Sequence, residues 1–242
     1  MNLAVCISGE MRTFDRCYES FYKNILSKNN CDIFISTWNT SNKSIKEKNA
    51  IDEIKDITHE ILYKLYSPVE LNIFEKPINV SQFFSNISMP KILTEREPIN
   101  HRGTIPFSFL INQTNRLLNK YIEKNKIEYD AIIHMRPDLK FDYPIPDFVF
   151  EDLNYLWTLT SPDDHRVSDR FAISNINNMN IYSNVWNNLK NYWEYPLGKK
   201  KYLFFYNKKN YLIGERLMGY HIKKVNNLRL KQLPKLCDIF RH

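Results

Sequence analysis

Glycine is scarce in this chain of 242 residues: there are 5, against 11 prolines. That excludes collagen-like and glycine-rich architectures. No Walker-type glycine-rich phosphate loop is present either. Long apolar runs are also missing. None approaches the ~20 residues that a membrane-spanning helix requires. The N-terminal run from Leu3 to Ser8 is too short for a signal-peptide core, and no basic segment precedes it. The sequence therefore points to a protein made and kept in a cytoplasm. The four cysteines, Cys6, Cys17, Cys31 and Cys237, show no C-x-x-C spacing. Neither a zinc ribbon nor a disulfide framework is expected.

Core material and positive charge are plentiful instead. A composition that is 43% hydrophobic and 14% aromatic excludes wholesale disorder. The length suits one domain over 1–242. A net charge of +7 arises from 34 basic and 27 acidic residues. Much of the excess lies in Lys199–Lys201, Lys208–Lys209 and Lys223–Lys224. Such clusters attract a phosphate-bearing substrate, an anionic membrane touched peripherally, or nucleic acid; the plain alternative is a solvated lysine-rich face. No RNP-type aromatic motif, zinc finger or Gly-x-x-Gly clamp accompanies the charge, which disfavours nucleic acid.

The hydrophobic pattern reads as an α/β fold. Leu3 to Ile7 is a buried strand ended by Ser8-Gly9, and Phe14, Cys17, Tyr18, Phe21 and Ile25 follow at helical spacing. Cys31 to Trp38 is a second strand, so the opening is a βαβ unit that implies a parallel, helix-covered sheet. Ile51, Ile54, Ile57 and Ile61 predict a surface helix, and residues 69–74 alternate like a strand. The stretch 77–105 holds three prolines and lacks periodicity, which predicts a long mobile loop at the mouth of a site. Residues 106–126 predict a helix with Pro106 in its first turn. Strands are expected at 129–139, 153–160 and 170–174, and helices at 179–192 and 213–222. A basic tail runs from about 225 to 242.

In open α/β sheets, ligands bind outside the carboxyl ends of the strands. Polar residues gather at three such positions. Ser8-Gly9 with Arg12 suits a nucleotide-binding turn, since glycine permits close backbone approach and arginine reaches phosphate. Arg136-Pro137-Asp138 ends an apolar strand in a carboxylate fit for Mg²⁺ or Mn²⁺ and a guanidinium fit for a diphosphate. A structural Arg–Asp pair is the alternative there. The third set is Ser168-Asp169-Arg170 with Ser174-Asn175.

Residues 130–139, reading DAIIHMRPDL, resemble the "RPDL" strand of a viral and bacterial glycosyltransferase family with a GT-A-like fold. Residues 7–14 (ISGEMRTF) resemble its "SG-x-x-RT" turn, and residues 31–38 its second strand. Ser168-Asp169-Arg170-Phe171 and Gly214-Glu215-Arg216-Leu217 match its later "DRF" and "E-x-x-L" signatures in order. The resemblance implies a GT-A-like, Rossmann-type single domain with a mostly parallel central sheet flanked by helices. It implies a nucleotide-sugar donor, a glycan or glycoconjugate acceptor and a divalent cation, with the host cytoplasm as the location if the chain is viral.

Residue by residue, the resemblance places Ser8, Gly9, Arg12, Arg136, Asp138 and Arg170 at the nucleotide or donor. Trp38, at a strand end, joins them as a sugar contact, while Trp157, Trp186 and Trp193 read as core. If the reaction inverts the anomeric centre, Asp169 and Glu215 are the candidates to take the acceptor's proton; if it retains configuration, neither need act as a base. Asp138 and His221 are the candidate metal ligands. GT-A enzymes carry Asp-x-Asp, and Arg136 stands at the first position here, so it can supply part of the cation's charge and make the metal dispensable. Two other functions fit the same composition: a non-catalytic polyanion-binding module, and another nucleotide-dependent transferase such as a sulfotransferase.

Overall fold

Alternation along the first strand decides which layer each residue joins. The computed structural model describes residues 1–41, 55–75, 101–194, 206–207, 210–211 and 214–240. In β1 (Asn2–Ser8), Leu3, Val5 and Ile7 point to one side of the sheet and Ala4 and Cys6 to the other, and all are buried. The first side packs on α1 (Phe14–Asn24) and α2 (His59–Tyr66) through Phe14, Phe21, Leu62 and Tyr66. The second packs on α3 (His101–Asn125), α4 (Ile176–Ser183), α5 (Val185–Glu194) and α6 (Gly214–Gly219). Helices thus cover both faces, as a parallel sheet requires.

The other strands of the central sheet are β2 (Asn30–Trp38), β3 (Glu70–Phe74), β4 (Ala131–Met135), β5 (Leu156–Thr158), β6 (Phe171–Ser174) and β7 (Leu230–Gln232). Their order is β3-β2-β1-β4-β6-β5-β7. Every neighbouring pair is parallel except those made by β6, which runs against β4 and β5. The expected α/β, mostly parallel architecture is therefore present. One edge of the sheet collects the carboxyl ends of six strands and the amino end of β6.

Several boundaries differ from the sequence reading. Helix α3 starts at His101, so Pro106 lies inside it rather than in a first turn. The proline costs one helical hydrogen bond, and burial of Ile105, Leu110, Ile111 and Leu118 offsets it. The helix expected at 179–192 is two helices, α4 and α5, parted at Asn184. Asn175 starts α4 by accepting the Asn178 amide, 2.9 Å away, on its side chain.

The tail from 225 is no tail. Leu230–Gln232 is an edge strand of the central sheet, and Cys237–Ile239 pairs antiparallel with Leu139–Phe141. Leu233, Leu236 and Cys237 are buried, which gives that segment its reason to fold back. Of the loop expected at 77–105, residues 77–100 lie outside the described residues, as do Lys199–Lys201 and Lys208–Lys209. No helix among the described residues is long and apolar enough to cross a membrane.

Candidate functional site

Register brings the polar residues of the β4 and β6 ends together. The antiparallel ladder runs from Ile132 opposite Ser174 to Met135 opposite Phe171. One further bond, from the Arg136 amide to the Arg170 carbonyl at 3.0 Å, sets the Asp169 turn beside Arg136. The β1 turn meets them through Gly9. Its φ of +135° disfavours any other residue, and a Cβ there would stand 3.3 Å from Pro137 Cδ and 3.5 Å from Phe107 Cε2. Gly9 thus serves close packing of two turns, with its amide and carbonyl engaged by Ser36 and Thr37.

Arg136 holds Asp138 in a two-pronged ion pair. Nε donates to Oδ1 at 2.8 Å and Nη2 to Oδ2 at 2.5 Å, and the side chains are 19% and 3% exposed. Burial alone would lower the Arg136 pKa, but Asp138, with Asp169 and Glu10 further off, raises it overall. The guanidinium stays charged and lies over the Phe107 ring, 5.8 Å from its centroid. Arg12 pairs with Glu10 at 2.8 Å in the β1 turn and is 35% exposed. Glu10 is within electrostatic reach of both arginines.

Asp169 differs from Asp138 in its partners. It makes no ion pair with a cationic side chain among the described residues, and its pKa is raised. Burial is the main cause, opposed by Arg136 and reinforced by Glu215. Glu215 lies across from it at the start of α6, with Arg170 Nη2 3.7 Å from its carboxylate. Arg170 also reaches Asp238 at 3.9 Å. Of the two candidate proton acceptors, Asp169 is the one without a cationic partner.

Other expected site residues lie elsewhere. Ser8 is fully buried and bonds Thr114 of α3 at 2.7 Å, which removes its hydroxyl from any ligand. Trp38 is 4% exposed, stacks on Phe109 with ring centroids 5.8 Å apart and meets Phe74 edge-on. It belongs to an aromatic cluster of the core rather than to an open sugar face. His221 is buried, with Nδ1 bonded to the Tyr192 hydroxyl and Nε2 2.6 Å from the Ile181 carbonyl.

These side chains do not fit a metal pair. Asp138 is chelated by a guanidinium and both nitrogens of His221 are taken. No group of three or more His, Cys, Asp or Glu among the described residues is placed to hold a metal. Lys223 is also committed, donating to the Pro162 carbonyl at 2.7 Å and to that of Asp164.

Phe107, Thr104, His134 and Tyr182 belong to the site's surroundings and were not evident in the sequence. Phe107 covers Gly9, Arg136 and, at 6.1 Å between ring centroids, His134. His134 is buried on the same side of β4 as Arg136, and neither ring nitrogen has a hydrogen-bond partner. Burial first, and Arg136 second, push its pKa down to about 3. Tyr182 donates to the Ser168 carbonyl at 3.1 Å, directly behind Asp169. The one available signal was position: Thr104 and Phe107 lie at the end of the long aperiodic segment and just beyond it. No protein-family model and no curated protein matches this sequence.

Proposed function

We propose that this protein is a GT-A-like glycosyltransferase that moves a sugar from a nucleotide-sugar donor to a hydroxyl of a glycan or glycoconjugate. The observation that carries the reading is one juxtaposition at the carboxyl edge of the sheet. A half-buried, permanently charged arginine, Arg136, stands beside a carboxylate, Asp169, that forms no ion pair with a cationic side chain among the described residues. The strand order adds support. Its β3-β2-β1 part has the strand order of one half of a doubly wound sheet, and beyond β4 the reversed β6 breaks the run of parallel strands that a second half would continue.

In this reading the acceptor hydroxyl attacks the anomeric carbon, its proton passes to Asp169, and the bond from that carbon to the diphosphate breaks. Burial raises the basicity of Asp169 and so suits it to the transfer. Arg12 and the Nη1 edge of Arg136 neutralise the charge that develops on the departing diphosphate. Arg170 orients Glu215 on the acceptor side. No step is assigned to a metal, because Asp138 and His221 are engaged within the chain.

The test is a thermal-shift panel of nucleotide sugars with and without Mn²⁺, followed by turnover of whichever donor binds. One nucleotide family should raise the melting temperature without needing Mn²⁺. Asp169→Asn should keep that shift and lose turnover. A panel in which no nucleotide moves the melting temperature argues against a transferase.

A further inference from the structure

Asp169 can act as the proposed proton acceptor only if its carboxylate is held in place, and the inference rests on that reading. Gly214 opens α6. A Cβ built on it would stand 2.8 Å from Asp169 Oδ2 and 3.5 Å from Thr104 Oγ1. The first distance is shorter than ordinary van der Waals contact, so a side chain at 214 must move something.

What surrounds Asp169 shows what would move. Ser168 is buried; its carbonyl accepts the Tyr182 hydroxyl at 3.1 Å, and its Oγ accepts the Arg170 amide at 3.2 Å. The Val167 amide donates to the Glu215 carbonyl at 2.9 Å, and the Arg170 carbonyl is bonded to β4. The backbone on both sides of Asp169 is therefore pinned, and only its side chain has latitude.

Gly219, on the same short helix, supplies the contrast. A Cβ there would meet the His165 carbonyl oxygen at 2.1 Å and its carbon at 3.0 Å. That obstacle is backbone and cannot swing aside. One glycine lets the helix and the 165–169 segment touch. The other leaves space that a carboxylate fills.

We propose that Gly214 is a positioning residue: its missing side chain is the recess that holds the Asp169 carboxylate beside Arg136 and away from bulk water. Gly214→Ala leaves the backbone bonds intact and displaces the carboxylate outward.

The test is a carboxyl NMR titration of ¹³C-aspartate-labelled protein, with the Asp169 signal assigned by its loss in Asp169→Asn. In the unsubstituted protein Asp169 should titrate above the ordinary aspartate value of about 3.9. In Gly214→Ala its midpoint should fall toward that value by about half a unit or more, with little change in melting temperature. An unmoved midpoint overturns the proposal.

Should Gly214→Ala melt early, the same substitution in an Asp169→Ala background decides. Relief of the loss there supports a contact with the carboxylate, and an equal loss in both backgrounds overturns it. Neither readout uses a nucleotide or a sugar. A failed donor screen therefore counts against the transferase alone, and an unmoved titration against Gly214 alone.

Discussion

Asp138 and Asp169 stand at neighbouring strand ends, yet they have opposite circumstances. Asp138 is buried and clasped by both prongs of Arg136, while Asp169 has a cation in electrostatic reach and no ion pair among the described residues. The carboxylate that looks like a metal ligand by motif is occupied in holding an arginine. The one left without an ion pair among the described residues lies across the β4–β6 ladder. Partnership, rather than residue type or strand position, separates the two carboxylates at this edge.

The largest expected effect comes from breaking the first pair. Arg136→Ala strands the buried Asp138 carboxylate and should cost about 3–5 kcal/mol of stability in urea unfolding. The double variant Arg136→Leu with Asp138→Leu should recover most of that loss. A single variant as stable as the parent would show that the pair does not hold the turn.

Acid comes next. His134 has a folded pKa of about 3, below the unfolded histidine value of 6.5. The unfolded chain therefore binds the proton first, and stability falls as pH drops from 6.5 toward 3. Between pH 7 and pH 4, that loss should reach on the order of 2–3 kcal/mol, and His134→Phe should flatten it, because the titrating imidazole is removed. Unfolding midpoints across that range, compared between the two proteins, check it.

Asp169→Asn should have a small effect of opposite sign. Its raised folded pKa means that the ionised form costs stability at neutral pH, and the cost disappears below the unfolded carboxylate value. The variant should be more stable than the parent at pH 7 and equal to it at pH 3. Destabilisation at pH 7 would mean that Asp169 has a structural duty like that of Asp138.

The least change in stability is expected for Arg12→Ala. Its pair with Glu10 is half open to solvent, so the loss should stay below about 0.5 kcal/mol. Nucleotide affinity should nevertheless weaken by about 10-fold, the equivalent of one charge-assisted contact. Titration of the best nucleotide from the thermal-shift panel reads this directly.

The gathering of Gly9, Arg136 and Asp169 at one edge was legible in the sequence, because short apolar runs ending in polar residues declare the ends of buried strands. Which carboxylate stays unpaired was not. Arg136 and Asp138 are two residues apart, and only the turn geometry shows that the guanidinium folds back onto the carboxylate. Trp38 and His221 looked like site residues because side-chain type was all there was to weigh. Their burial depends on Phe109 and on Ile181 and Tyr192, whose contacts no local pattern reports. The tail was misjudged for a similar reason: Leu230, Leu233 and Leu236 are too sparse for a periodic signal, yet each packs into the body of the fold.

That returning segment also sets a schedule for biosynthesis. The Phe240 amide bonds the Asp138 carbonyl at 2.9 Å, and the Thr13 hydroxyl bonds the Phe240 carbonyl at 3.1 Å across 227 positions of sequence. Helix α1 has no side-chain cap from Thr13, whose hydroxyl is spent on this bond instead. During translation the β1 turn and the Arg136 turn emerge long before the strand that ties them together. Such distant closures are late and slow. A nascent chain halted before residue 237 should hold its central strands, leave that edge unfastened, and stay open to proteases there until residues 237–240 leave the ribosome.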